Sequence, residues 1–140
     1  MKKSIEFIQL HYIGWPDFNA PTDPEPITNL VKELRKMIAL SKKLDKINIL
    51  VHCSAGVGRT GTLISLYKMM EKLDSLLEKH EEENGNLSDI SIDIFNSVFE
   101  LRSKRMNMVS KAQMFMGIIY SKSYIFQIFM AKTTTMIFPF

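Results

Sequence analysis

The chain has 140 residues, enough for one core and too few for a multidomain enzyme at ~100 to 200 residues per domain. With 46% hydrophobic and 24% charged residues it has the composition of a folding globular chain, without the polar signature of disorder. The 18 basic and 15 acidic residues are interspersed and make no nucleic-acid patch, while the single cysteine, Cys53, excludes an internal disulfide and a multi-cysteine zinc site and suits a reducing compartment.

The first residues break their apolar stretch at Glu6, Gln9 and His11 before a signal-peptide core forms, so a cytoplasmic location is the expectation. Ile5 to Ile13 alternates loosely between apolar and polar side chains and predicts a strand. Pro16, Pro21, Pro24 and Pro26 then impose an irregular loop, because each fixes its own φ and restricts the residue before it. From Ile27 the set Ile27, Leu30, Val31, Leu34, Met37, Ile38 recurs at three and four, which predicts an amphipathic helix to about Ser41.

Ile47 to Val51 is a short apolar run with β-branched members, read as a buried strand that ends at His52-Cys53. Arg59 to His80 carries Leu63, Leu66, Tyr67, Met70, Leu73, Leu76 and Leu77 at helical spacing, a long helix stopped by Asn84-Gly85-Asn86. Ile94, Phe95, Val98, Phe99 and Leu101 mark a further helix, and a turn near Met106 to Ser110 leads into an apolar stretch that begins as helix. Gln113, Ser121, Lys122, Ser123 and Gln127 interrupt that stretch and favour a buried or partner-facing helix over a membrane span. The order of elements predicts an α/β fold, a sheet covered by helices.

The segment His52-Cys53-Ser54-Ala55-Gly56-Val57-Gly58-Arg59-Thr60-Gly61-Thr62 sits where the predicted buried strand meets the long helix. A loop of five residues between Cys53 and Arg59, with Gly56 and Gly58, can turn successive backbone N–H groups inward and close them with a helix N-terminus, making an anion site. The same dipoles and the Arg59 charge stabilise a negative sulfur, so Cys53 is expected as a thiolate near neutral pH, poised for in-line attack on phosphorus. Arg59 offers a planar fork for two phosphate oxygens. A buried structural cysteine beside a plain glycine turn is the bland alternative.

This segment resembles the signature of the protein tyrosine phosphatases throughout its length. The resemblance implies Cys53 as nucleophile, Arg59 as phosphate ligand, and Ser54, Ala55, Gly56, Val57 and Gly58 as the substrate-binding loop. It further implies that the Thr60 hydroxyl aids breakdown of a cysteinyl-phosphate intermediate, and that His52 tunes the thiolate from behind or serves as a structural imidazole. No metal and no organic cofactor are implied.

A poor leaving group departs more easily if an acid protonates its bridging oxygen, and Asp17 on the proline-stiffened loop is the upstream candidate. Trp15-Pro16-Asp17 is similar to the family's mobile general-acid loop, with Trp15 as the anchor and Phe18 beside the substrate. Phe18-Asn19-Ala20 departs from the family's usual continuation. Val98 to Val109 resembles the helix and turn before the family's water-positioning glutamine. Gln113 takes that role if one deletion is assumed, and a gapless comparison puts Met114 there.

The reading is therefore a cytoplasmic tyrosine phosphatase over residues 1–130, with 131–140 an unassigned tail and phosphotyrosine-containing proteins as partners. A dual-specificity or phosphoinositide phosphatase shares the Cys to Arg spacing, and a phosphate-binding fragment without turnover is the rival from outside the enzymes. The resemblance covers the latter half of a family domain, so the expectation for the chain alone is weak folding and weak or absent turnover.

Overall fold

The computed structural model describes residues 7–15, 23–41, 48–83 and 91–112, together with residues 114, 118, 119 and 125. Its helices run in the order α1 (Glu25–Ser41), α2 (Gly58–Glu83) and α3 (Ile94–Lys104), and residues 112, 114, 118, 119 and 125 are helical as well. All three named helices fall where the apolar periodicity puts them. The terminator Asn84-Gly85-Asn86 lies outside the described residues.

The starts of α1 and α3 are written locally. Before α1, the Asp23 carboxylate accepts from Glu25 N–H at 2.9 Å, and the Pro24 carbonyl accepts from both the Thr28 N–H and its hydroxyl. Asp93 caps α3, its side chain accepting from Asn96 N–H at 2.9 Å, which satisfies one of the donors a helix start leaves unpaired. Arg102 and Lys104 in the last turn of α3 face the negative end of its dipole.

α2 is the central element, packed against both α1 and α3. Ile27 and Val31 of α1, Leu66, Met69, Met70 and Leu73 of α2 and Val98 of α3 join Trp15, Ile92, Val109, Met114 and Ile118 in one buried cluster. Surface ion pairs run alongside, Arg35 to Asp74 between α1 and α2 and Lys68 to Glu100 at 3.6 Å between α2 and α3. Exposed pairs of this kind contribute only ~0 to 1 kcal/mol each, so apolar burial is the larger stabilising effect.

The predicted strands are corrected. No strand forms among the described residues: 7–15 and 48–53 carry no regular structure, so the α/β class and its helix-covered sheet give way to a helical description. Phe7, Ile8, Ile13 and Leu50 are 81%, 77%, 83% and 85% exposed. Alternation and β-branching report a fit to a pleated, half-buried surface, and that surface exists only where a neighbouring strand supplies hydrogen-bond partners and a core covers one face. No neighbouring strand pairs with either segment among the described residues, and although Tyr12 and Trp15 reach the core, Phe7, Ile8, Ile13 and Leu50 do not.

Two substitutions in α2 should move stability in opposite directions. Ala at position 61 gains ~1 kcal/mol of helix propensity, but its Cβ would lie 2.5 Å from the backbone nitrogen of Val109. Backbone cannot swing aside as a side chain does, and an overpacking cost of ~1 to 3 kcal/mol outweighs the gain, so Gly61→Ala should lower the midpoint of a circular-dichroism melt. Ser65 is fully buried and its hydroxyl has no hydrogen-bond partner, so Ser65→Ala should raise that midpoint, by ~1 kcal/mol of stability.

Candidate active site

The loop from Cys53 to Gly58 leads directly into α2, and its shape is set by contacts from three parts of the chain. Gly56 has φ +69°, a left-handed conformation that a side chain would strain. The carbonyl of Val57 accepts two N–H groups, Gly61 at 3.0 Å as the first turn of α2 and Val109 at 3.1 Å from the turn after α3. Gly58 is pressed by other side chains: a Cβ there would stand 2.7 Å from Met114 Cε and 3.1 Å from Ser110 Oγ.

Cys53 is half-buried at the focus of this loop. Burial alone pushes its thiol up. The Thr60 hydroxyl, which donates to the sulfur at 3.2 Å, and the backbone N–H groups of Thr60, Gly56 and Val57 outweigh that and bring it down from 9.0 to about 7. A cysteine so placed is substantially thiolate at neutral pH. His52, its neighbour, is exposed.

Arg59 lies on the first turn of α2 with one nitrogen, Nη2, donating to Ser54 Oγ at 2.8 Å. The other, Nη1, donates to the backbone carbonyl of Trp15 at 3.4 Å. Trp15 itself is buried in the main cluster and meets Tyr12 edge to face, ring centroids 6.2 Å apart. The guanidinium thus joins the cysteine loop to the chain that immediately precedes Pro16 and Asp17.

Of the residues singled out from sequence, Cys53, Ser54, Gly56, Val57, Gly58, Arg59 and Thr60 are brought together with Trp15 by these contacts, and the Ala55 carbonyl accepts from Arg105. Asp17, Phe18 and Gln113 lie outside the described residues. The turn near Met106 to Ser110 was expected from sequence, but the contacts that Arg105, Val109 and Ser110 make with the cysteine loop were not. A β-branched residue at φ +56° leaves no mark in a sequence pattern, and arginine at a helix end reads as a solvated charge. Among the described residues no cluster of His, Cys, Asp and Glu could hold a metal ion, and no helix is long and apolar enough to cross a membrane.

Comparison with known families gives a match to the protein-tyrosine phosphatase model over residues 1–121. The chain is 37% identical over 110 residues to tyrosine-protein phosphatase 69D of Drosophila melanogaster, covering 79% of this chain and 6% of that protein. It is 38% identical over 101 residues to receptor-type tyrosine-protein phosphatase epsilon of Rattus norvegicus, covering 72% of this chain and 12% of that protein. It is 37% identical over 101 residues to phosphatidylinositol phosphatase PTPRQ of Rattus norvegicus, covering 72% of this chain and 4% of that protein. The chain therefore spans a small fraction of the length of each of these relatives.

The donors around the sulfur make a direct prediction. Alkylation of Cys53 by iodoacetamide should be half-maximal near pH 7, against ~8.5 for a free cysteine. Thr60→Val removes the hydroxyl that donates to the sulfur, and its profile should move to higher pH while the backbone donors hold it below that of a free thiol. An unchanged profile in Thr60→Val would show that the hydroxyl does not act on the sulfur.

Proposed function

Because the chain belongs to the protein-tyrosine phosphatase family, we propose that it hydrolyses phosphotyrosine in proteins through a cysteinyl-phosphate intermediate. The observation that carries this reading is the sulfur of Cys53 at the convergence of the Thr60 hydroxyl and three backbone N–H groups, with Arg59 on the same first turn of α2. Donors that converge on a thiolate also suit the oxygens of a phosphate above it.

The thiolate attacks phosphorus, forming an S–P bond as the bond from phosphorus to the phenolic oxygen breaks. Asp17 donates its proton to that oxygen, and tyrosine leaves as the neutral phenol. Arg59 turns its fork from Ser54 to two equatorial oxygens, exchanging a neutral acceptor for anionic ones. Water then attacks phosphorus on the side the phenol left, Asp17 takes its proton, the S–P bond breaks, and orthophosphate departs with Cys53 again a thiolate. The Thr60 hydroxyl, already on the sulfur, stabilises it as a leaving group.

In the same reading Ser54 to Gly58 bind the phosphate, Phe18 packs beside the aromatic ester, Trp15 anchors the acid segment, His52 supports the thiolate and Gln113 orients the water. A chemistry that depends on a reduced thiolate fits a cytoplasmic compartment. Phosphoinositide is the second substrate class, favoured by the 37% identity to a protein named as a phosphatidylinositol phosphatase.

Hydrolysis of para-nitrophenyl phosphate and of a phosphotyrosine peptide by the 140-residue chain tests the reading. Cys53→Ser should abolish turnover and keep vanadate binding, since the N–H groups and Arg59 stay while an unactivated hydroxyl is a poor nucleophile. Asp17→Ala should lower kcat on the peptide by ~10² to 10⁴ with much less effect on KM and flatten the alkaline limb of the pH–rate profile. Binding of vanadate without turnover in the unsubstituted chain would make this a phosphate-binding protein, and faster release from a phosphoinositide than from the peptide would move the substrate class.

A further inference from the structure

We propose that Arg105 is a positioning residue for the Cys53 thiolate, acting through the single peptide unit that joins Ala55 to Gly56. Its Nη2 donates to the Ala55 carbonyl oxygen at 3.3 Å. The N–H of the same peptide unit is that of Gly56, which donates to the Cys53 sulfur. A trans peptide holds its C=O and N–H in one plane and pointing opposite ways, so a guanidinium fixed at the oxygen aims the hydrogen at the sulfur. The cation also draws electron density toward the carbonyl and makes the N–H at the other end a stronger donor, as happens along any chain of hydrogen bonds in a low-dielectric setting.

The rest of the chain holds Arg105 in that place. It is the C-cap of α3, in extended conformation with φ −150° and ψ 125°, and its own N–H closes onto the Leu101 carbonyl at 2.9 Å. The turn that follows is fixed by Arg102, whose Nε and Nη2 donate to the carbonyls of Met108 and Val109, each at 2.9 Å. That turn in turn donates the Val109 N–H to the Val57 carbonyl. The end of α3 therefore grips the cysteine loop at two carbonyls, Ala55 and Val57, one through a charge and one through a neutral N–H.

Gly56 lies against the guanidinium. A Cβ at that position would stand 3.3 Å from both terminal nitrogens of Arg105, on a backbone already at φ +69°. The absent side chain leaves room for the guanidinium to lie flat against the loop. The charged and titratable groups around Cys53 are then His52 beside it, Arg59 on α2, and Arg105 reaching in from α3. Arg59 faces the substrate side through Ser54, whereas Arg105 reaches the thiolate only through the peptide.

The proposal rests on the phosphatase reading only in taking Cys53 as the working nucleophile, and its test needs no turnover, so the two fail separately. The rate of iodoacetamide alkylation of Cys53 is measured against pH in the 140-residue chain and in Arg105→Ala, Arg105→Gln and Arg105→Lys, with far-ultraviolet circular dichroism as the check on the fold. The midpoint should rise by about half a unit or more in the Ala and Gln variants, which at pH 6.5 is about a threefold slower reaction, while Lys restores part of the shift because it keeps the charge without the fork. If Arg105→Ala loses helical signal, the longer Gln side chain carries the comparison. A midpoint equal to that of the unsubstituted chain in a folded Ala or Gln variant would overturn the proposal. So would loss of the helical fold in both, which would make Arg105 a structural residue, or a Lys variant no better than Gln.

Discussion

The arrangement turns on the amino end of α2, where N–H groups that no helical carbonyl can satisfy are aimed at one sulfur atom. A helix start leaves its first donors unpaired, and a negative atom placed among them is favoured both by hydrogen bonding and by the dipole. Burial works against that by penalising the charged thiolate, and the donors win, since the net displacement of the Cys53 thiol is downward. Everything packed around the loop serves to keep those donors pointing the same way. The neighbours must come close to do so, and the chain makes room by carrying no side chain at three positions. Arg105 lies against Gly56, Met114 and Ser110 against Gly58, and the Val109 backbone against Gly61.

That crowding comes from the end of α3 and the residues that follow it. Val109 is a β-branched residue in left-handed conformation, a state that costs ~1 to 3 kcal/mol and persists only where its surroundings dictate it. Here the surroundings are specific: the Arg102 fork on two carbonyls of the turn, the Val109 N–H on Val57, and its side chain buried in the main cluster. Charge-assisted hydrogen bonds contribute ~1.5 to 3 kcal/mol each, so the two from Arg102 can offset the strain without help from the cysteine loop. The turn is therefore a brace built within the α3 region and pressed onto the loop, and the loop need not deform to hold it.

Legibility in the sequence follows the range of each interaction. α1, α2 and α3 were readable because their cores are lined by residues three and four apart, and Asp93 caps α3 through a residue three positions on. The cysteine loop was readable because special residue types crowd into one stretch from His52 to Thr62. Ile5 to Ile13 and Ile47 to Val51 misled because a strand is a property of two chain segments, and the alternation of one says nothing about the presence of the other. Arg105 was invisible for the same reason: its partner carbonyl lies 50 residues away in the chain, at a loop whose own residues already explained themselves. The roles proposed for Asp17 and Gln113 rest on the sequence and its resemblance, since both residues lie outside the described ones.

Arg59 shows how the loop and the acid segment share one residue. Its fork spans Ser54 Oγ and the Trp15 carbonyl, and Trp15 is locked by burial and by the ring of Tyr12. A phosphate in the loop offers the guanidinium charged oxygens, a stronger partner than a hydroxyl or a carbonyl. The guanidinium that would meet such a phosphate already touches the chain next to Pro16, through a rigid planar fork. A lysine at position 59 has a single ammonium in place of two separated nitrogens, so it could hold the anion or the Trp15 carbonyl in this geometry but would not bridge them as a planar fork does.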